Sequence, residues 1–545
     1  MSCKPLSRRI AALAFCLPAV ALLLTPGMAA AVTAAPAVSA LASPGLVVQT
    51  TAGAVQGVVV GPEAEWRGIP YAAPPLGALR WRPPAAVTPW SGVRDATRFA
   101  PPCIQTDFNG GTLGSEDCLY LNVFAPPTAT AGSGLPVMVH LHPGGNALFH
   151  PYTGASAFTA RGVIVVTLAY RLGVFGFVGH PALSAEGGGS SGEYGLLDQL
   201  AALQWVHDNI AAFGGNPANV TLFGSSAGSF DTVALMASPL SRGLITRAAV
   251  QGDVLWGLTG VGNTISDAEQ IGVQVAQKVG CQTAADVLAC LRETAAAALV
   301  EVAPTDFVPW VGGVVLPKSP LQLLSGGAPV PLLVGFDREE EATIGGWVPH
   351  PGYRTANWVR DTNSIGGAPL GAQIRSLYPP SAYPSLLWST VTAATDAVRG
   401  CPTRRLANTV AGGAPVWRYL YTHTYENDPF LAQFKAAHIF EEPFLWGNFN
   451  LFGHYTPTAS EQILSQRMTD YWTNFAKTGN PNDPGLPAWP QYNSVTEPTL
   501  TLDNQIGVIN NYHDQQCALL DTITNLFPPP WAPGVGPPFF PRHFR

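Results

Sequence analysis

Ser226 stands in the run Gly224-Ser225-Ser226-Ala227-Gly228, directly after the apolar stretch Val220-Thr-Leu-Phe. A serine flanked in this way between a strand and a helix has the G-x-S-x-G pattern of a nucleophile elbow. Such a turn is so tight that a side chain at either glycine would meet neighbouring backbone. The hydroxyl is thereby held at the top of a sheet, beside the N-terminus of the next helix. The chemistry this permits is acyl transfer. A serine hydroxyl is a poor nucleophile at neutral pH, so it needs a base within hydrogen-bond reach and an acid that orients the base. With an elbow of this kind the chain order is serine, acid, histidine, which sends the search downstream of Ser226. Backbone N–H groups must also face the oxygen on which negative charge develops.

The elements that would position these groups read as alternating strands and helices. Leu46 to Val60 alternates apolar and polar residues around Gly53 and Gly57, as an edge hairpin would. Leu119 to Phe124 and Pro136 to Leu141 read as strands, and Gly162 to Ala169 as a buried parallel strand. Leu196 to Phe213 has helical periodicity and stops at Gly214-Gly215-Asn216-Pro217. The strand into Ser226 follows, and Pro329 to Gly335 is a further short strand. Alternation of this kind, with long inserts, predicts an α/β fold with a mostly parallel, doubly wound sheet.

Composition narrows the function. The chain has 545 residues, a net charge of -7 and only 12% charged residues. There is no basic block and no interleaving of basic and aromatic residues, so nucleic acid is not expected as a partner. Lys4, Arg8 and Arg9 precede an uncharged, mostly apolar stretch from Ile10 to Leu24, and small residues follow at Ala29, Ala30 and Ala31. This predicts a signal peptide over 1–30, with cleavage as late as 40, followed by an Ala-rich linker over 31–45. The expected route is general secretion rather than twin-arginine export, to the cell envelope or the medium, with no stable membrane insertion after cleavage. Two of the eight cysteines leave with the signal. The other six allow fifteen pairings. Cys103 with Cys118 and Cys281 with Cys290 would close short loops, and Cys401 with Cys517 would tie a distant C-terminal segment to the body. No C-x-x-C or Cys/His cluster points to a metal, and disulfides fit an oxidising compartment.

Several longer motifs carry a resemblance. Gly68-Ile-Pro-Tyr-Ala, Ser115-Glu-Asp-Cys-Leu-Tyr-Leu-Asn-Val, Tyr170-Arg-Leu-Gly-Val-Phe-Gly-Phe and Gly195-Leu-Leu-Asp-Gln through Asn209-Ile-Ala-Ala-Phe-Gly-Gly-Asn-Pro occur in that order. From about Val47 to about Asp521 the chain resembles the type-B carboxylesterases, the α/β-hydrolase family that includes the cholinesterases. The resemblance implies an α/β-hydrolase domain over 46–527, with a central mostly parallel sheet flanked by helices and large helical inserts, and leaves 528–545 as a Pro-rich tail. It implies the same three cysteine pairs.

The resemblance also supplies the partners of Ser226. His438, in Ala436-Ala-His438-Ile-Phe-Glu441-Glu-Pro, matches the histidine loop, with Ile439 where the family usually has glycine. His423 is the competing histidine. Glu340, in Asp337-Arg338-Glu339-Glu340, matches the orienting acid, with Glu341 as the neighbouring register; Glu339 and Glu341 read as solvated. Gly144 and Gly145 in His142-Pro143-Gly144-Gly145-Asn146 match two oxyanion donors, and the N–H of Ala227 is the third. Pro143 has no N–H to donate. Asn146 replaces a more usual aromatic residue. Ser225 replaces a glutamate, and Asp231 a small hydroxyl residue. One reading makes Asp231 a partial substitute for the carboxylate missing at 225; the other makes it an exposed helix residue. The implied activity is hydrolysis of small carboxylic esters through an acyl-enzyme, without metal or organic cofactor. A catalytically inactive binding protein and a lipase or polyester hydrolase are the alternatives.

Overall fold

A computed structural model of the protein describes residues 46–107, 111–252, 263–304, 307–343, 352–451 and 453–524. The expected signal peptide, Ala-rich linker and Pro-rich tail lie outside the described residues. Eleven strands form the main sheet: β1 (Val58–Val60), β2 (Glu63–Pro70), β3 (Tyr120–Ala125), β4 (Leu135–Leu141), β5 (Ile164–Leu168), β6 (Gly215–Ser225), β7 (Arg247–Gln251), β8 (Leu332–Asp337), β9 (Val416–Tyr421), β10 (Thr499–Leu502) and β11 (Gly507–Ile509). Their spatial order is β11-β10-β9-β8-β7-β6-β4-β5-β3-β2-β1. From β5 through β10 the pairing is parallel; β1, β2, β3 and β11 join antiparallel at the two sides.

The central strands are buried on both faces, which is why they read as continuous apolar runs. Side chains alternate between two cores, as the period of a strand requires. In β4, Val137, Val139 and Leu141 join one cluster while Met138 joins the other; in β6, Leu222 and Phe223 divide in the same way. Helix α1 (Tyr194–Asn209) covers the first face with Leu196, Leu200, Leu203 and Val206. Helix α2 (Ala227–Ala237) follows Ser226 at the end of β6 directly and packs on β6 and β7. Helices α3 (Leu386–Thr395) and α4 (Cys401–Val410) belong to the helical insert between β8 and β9. The short α5 (Glu442–Leu445) follows His438, and α6 (Ala459–Thr478) covers the second face with Leu464, Met468, Tyr471, Trp472 and Phe475. Helix α7 (Asp514–Thr524) closes the described chain and packs beside the insert.

Two of the sequence motifs meet in this frame. Arg171 donates to both carboxylate oxygens of Asp198 at 2.7 Å, and both residues are buried. The expected edge hairpin is divided. Val47–Gln49 pairs with Ala54–Gln56 in a separate small sheet, and Val58–Val60 leaves to edge the main one. Gly57 lies at that break, where an added Cβ would come 2.6 Å from the carbonyl oxygen of Glu65. Among the described residues there are three disulfides, Cys103–Cys118, Cys281–Cys290 and Cys401–Cys517.

Candidate active site

Strand order decides where a site can form. The chain runs from β4 out to β5, then crosses back so that β6 lies on the other side of β4. The connections leaving β4 and β6 therefore diverge at their C-terminal ends, the kind of place where open α/β sheets bind ligands. The loop 142–148 leaves β4 there, and Ser226 leaves β6.

Ser226 has φ 53° and ψ −120°, a strained conformation for a residue with a side chain. Close packing explains the two glycines around it. A Cβ on Gly224 would come 2.5 Å from the Gly228 carbonyl oxygen, and one on Gly228 would come 2.1 Å from that of Leu141. The Ser226 N–H donates to the Gln251 carbonyl at 2.9 Å, which pins the turn to the end of β7.

His438 reaches this turn from a loop between β9 and α5. Its Nε2 lies 2.8 Å from Ser226 Oγ, and its Nδ1 makes a short contact with Glu340 Oε2. Glu340 is fully buried just past β8, where its other oxygen accepts the Asp337 N–H at 2.8 Å. Burial, and secondarily the Arg399 charge, holds the His438 imidazole well below its usual pKa. Burial pushes the Glu340 carboxyl up, opposed by the Asp337 N–H.

The neighbouring glutamates are not solvated. Glu339 accepts the Ala436 N–H at 3.2 Å and so fastens the histidine loop to β8. Glu341 is buried against Arg399, 3.2 Å away. The helical insert covers what would otherwise be an acidic surface turn. His423 is elsewhere: its two nitrogens contact Asp503 at 2.9 Å and Glu461 at 3.0 Å.

Loop 142–148 folds back on itself. The Gly144 carbonyl accepts the N–H groups of Ala147 at 3.0 Å and Leu148 at 2.9 Å. At Gly144, with φ 121°, a Cβ would come 2.3 Å from the Leu148 carbonyl oxygen. Among the described residues the N–H groups of Gly144 and Gly145 find no acceptor. That of Ala227 is in the first turn of α2, where no intrahelical acceptor exists.

Asp231 is fully buried, which overturns the reading that makes it an exposed helix residue, and its carboxylate hydrogen-bonds Asn146 and Gln199. The carboxylate beside Ser225 is Glu442. It accepts Gln251 Nε2 at 3.1 Å, and Ser225, Trp446 and Tyr152 stabilise its charged form against a burial that pushes it up to about 7. Gln251 also contacts Glu441 at 3.4 Å, and Tyr419 donates to Glu441 at 3.0 Å. Sequence reasoning missed this layer. Its signal was two adjacent acids in an otherwise apolar stretch.

Residues 44–520 match the carboxylesterase family. The chain is 34% identical to para-nitrobenzyl esterase of Bacillus subtilis (strain 168) over 489 residues, covering 84% of this chain and 95% of that protein. It is 35% identical to cocaine esterase of Homo sapiens over 465 residues, covering 78% and 81% of the two chains. A solved structure titled PNB esterase superposes with a TM-score of 0.74 at 34% identity, over 87% of this chain and 99% of that one. The protein belongs to the carboxylesterase family and has its α/β-hydrolase fold. It is accordingly a carboxylic ester hydrolase.

Proposed function

We propose that the protein is a secreted serine carboxylesterase that hydrolyses small carboxylic esters through an acyl-enzyme, with Ser226, His438 and Glu340 as its triad. The observation that carries this reading is the unbroken line from Ser226 Oγ to His438 Nε2, at 2.8 Å, and from His438 Nδ1 to Glu340. His438, kept uncharged by its burial, takes the Ser226 proton as Oγ bonds to the ester carbonyl carbon. The carbonyl π electrons move to oxygen, where the N–H groups of Gly144, Gly145 and Ala227 hold the charge. As the tetrahedral adduct collapses, the carbon–alcohol bond breaks and His438 gives its proton to the leaving oxygen. A water, deprotonated by His438, then attacks the acyl carbon, and the Ser226 oxygen leaves with the returned proton. Glu340 orients the ring and stabilises the imidazolium. Export is supported by the basic and apolar N-terminal pattern and by three disulfides.

The test is a series of p-nitrophenyl esters of rising acyl length, with a fluorophosphonate label read by mass spectrometry. Ser226→Ala is expected to lose activity by about 10⁴-fold or more and to lose the label. Turnover surviving in that variant would sink the mechanism. A folded wild type that takes no label on Ser226 would favour a binding protein.

A further inference from the structure

Asn146 and Asp231, two positions where the sequence differs from the motifs it resembles, are 85 residues apart and touch. Asn146 follows the two oxyanion glycines and has φ 55°, the left-handed region. Four hydrogen bonds hold it. Its Nδ2 donates to Asp231 Oδ1 at 3.0 Å and to the Phe307 carbonyl at 3.4 Å. Its Oδ1 accepts the Tyr170 hydroxyl at 3.1 Å, and its carbonyl accepts the Gly173 N–H at 2.6 Å. Asp231 lies one turn into α2, the helix that begins at the nucleophile, and its other oxygen accepts Gln199 Nε2 at 2.5 Å. Asn146 and Asp231 are both fully buried.

A buried carboxylate without donors would be strongly unfavourable, so its two amide donors fix its position and are fixed by it. Asp231 moves with the nucleophile helix; Asn146 moves with the glycine loop. We propose that Asp231 is a positioning residue for ester hydrolysis, holding the Gly144–Gly145 loop in register with Ser226 through Asn146. This rests on the reading of Gly144 and Gly145 as oxyanion donors. The role follows from geometry, because donors must lie about 3 Å from the oxygen as its charge develops and a displacement of about 1 Å is worth about 100-fold in rate. Burial pushes the Asp231 carboxyl up to about 7, with Gln199 and Asn146 holding it down, as expected of an acceptor that both amides serve.

The experiment compares Asp231→Ala, Asp231→Asn, Asn146→Gly and the double variant Asp231→Ala/Asn146→Gly with wild type and Ser226→Ala. Glycine at 146 keeps the left-handed backbone while deleting the bond. Asp231→Ala and Asn146→Gly are each expected to lower kcat about 10- to 100-fold with KM unchanged. Affinity for an aryl trifluoromethyl ketone, whose adduct uses the same donors, falls by the same factor. The double variant is no slower than the slower single. Asp231→Asn regains most of the loss, since its carbonyl can still serve Asn146 while its amide meets Gln199 Oε1, which has no other partner among the described residues. A folded Asp231→Ala with wild-type kcat would overturn the proposal, as would losses that multiply in the double variant or a rise in KM alone. Should Asp231→Ala not fold, Asn146→Gly decides on the same kcat and inhibitor readouts. Activity surviving in Ser226→Ala would instead refute the underlying mechanism.

Discussion

Ile439, beside the histidine, occupies a backbone conformation that β-branched side chains avoid. Its φ is 61°, in a turn closed by the Phe440 N–H on the Ala437 carbonyl at 3.0 Å. Left-handed backbone costs an ordinary residue about 1–2 kcal/mol, which the surrounding loop must offset. Ile439→Gly is therefore expected to change the unfolding free energy by less than about 1 kcal/mol, relief of strain balancing lost apolar contact. Ile104→Gly, also half-buried but without positive φ, should cost at least about 1 kcal/mol more in the same urea titration. Glu442 is the other residue whose effect can be isolated. Above its pKa of about 7 it adds a negative charge beneath Ser225, where Gln251, Tyr152, Trp446 and Glu441 surround it. A negative charge beneath the Ser226 turn would favour the positive charge that develops on the His438 ring bonded to Ser226. Glu442→Gln should lower kcat about 3- to 10-fold at pH 8, with the two pH profiles converging below pH 6.

Strands β4, β6, β7 and β8 each end in one part of the site, and loops of no great length hold those parts together. The elbow was legible because its motif is local, a strand-turn-helix unit in which Gly224 faces the Gly228 carbonyl; the contact that requires Gly228, with the Leu141 carbonyl at the end of β4, is not. Glu340 and His438 lie 98 residues apart, and only the resemblance picked them from other acids and histidines. Glu442 was not legible as a functional group, and Asp231 was legible only as a candidate carboxylate without its partners. Their partners come from β7, α1 and the loop after β4, so no periodicity in the chain brings them together. At this scale the third disulfide is the informative one. Cys401–Cys517 joins α4 to α7 across 116 residues, against 15 and 9 for the other two. Loop-closure entropy grows with the logarithm of loop length, giving about 3 kcal/mol for a 15-residue loop and about 4.7 for a 100-residue one. Cys401→Ser/Cys517→Ser should thus lower the Tm more than Cys281→Ser/Cys290→Ser, measured by scanning calorimetry under non-reducing conditions.

Taken whole, the molecule buries an unusual number of acids, and this sets how its stability depends on pH. Burial pushes Asp231 and Glu442 to about 7 and Glu341 to about 8. Unfolded, such groups titrate near 4, so between about 4 and these values the folded state binds protons that the unfolded chain lacks. Each contribution is complete below about 4 and is lost as pH rises through the folded pKa, by about 1.4 kcal/mol per pH unit. The buried histidines act oppositely, but only on the acid side. His142 falls to about 4, and His140 and His438 are also held low by burial, so they erode stability as pH drops below about 6.5. Above 6.5 only the acids' trend remains, reinforced by His423 and His513, whose partners raise them. The Tm should fall by a few degrees between pH 6.5 and 8, with Glu442→Gln flattening part of the slope.

The sequence by itself determined the class of fold and the tight turn at Ser226. Apolar runs without alternation demand strands buried on both faces, and the glycine spacing around Ser226 demands a turn too tight for side chains. Both are properties of a dozen consecutive residues. Only the tertiary structure decided that β6 crosses back beside β4, that Glu339 and Glu341 are covered, and that the carboxylate at 231 meets Asn146 and Gln199 while the one at 442 lies beside Ser225. Those are contacts between segments distant in the chain. What a buried carboxylate does depends on which donors the fold brings to it, and its own neighbours in sequence carry no record of them.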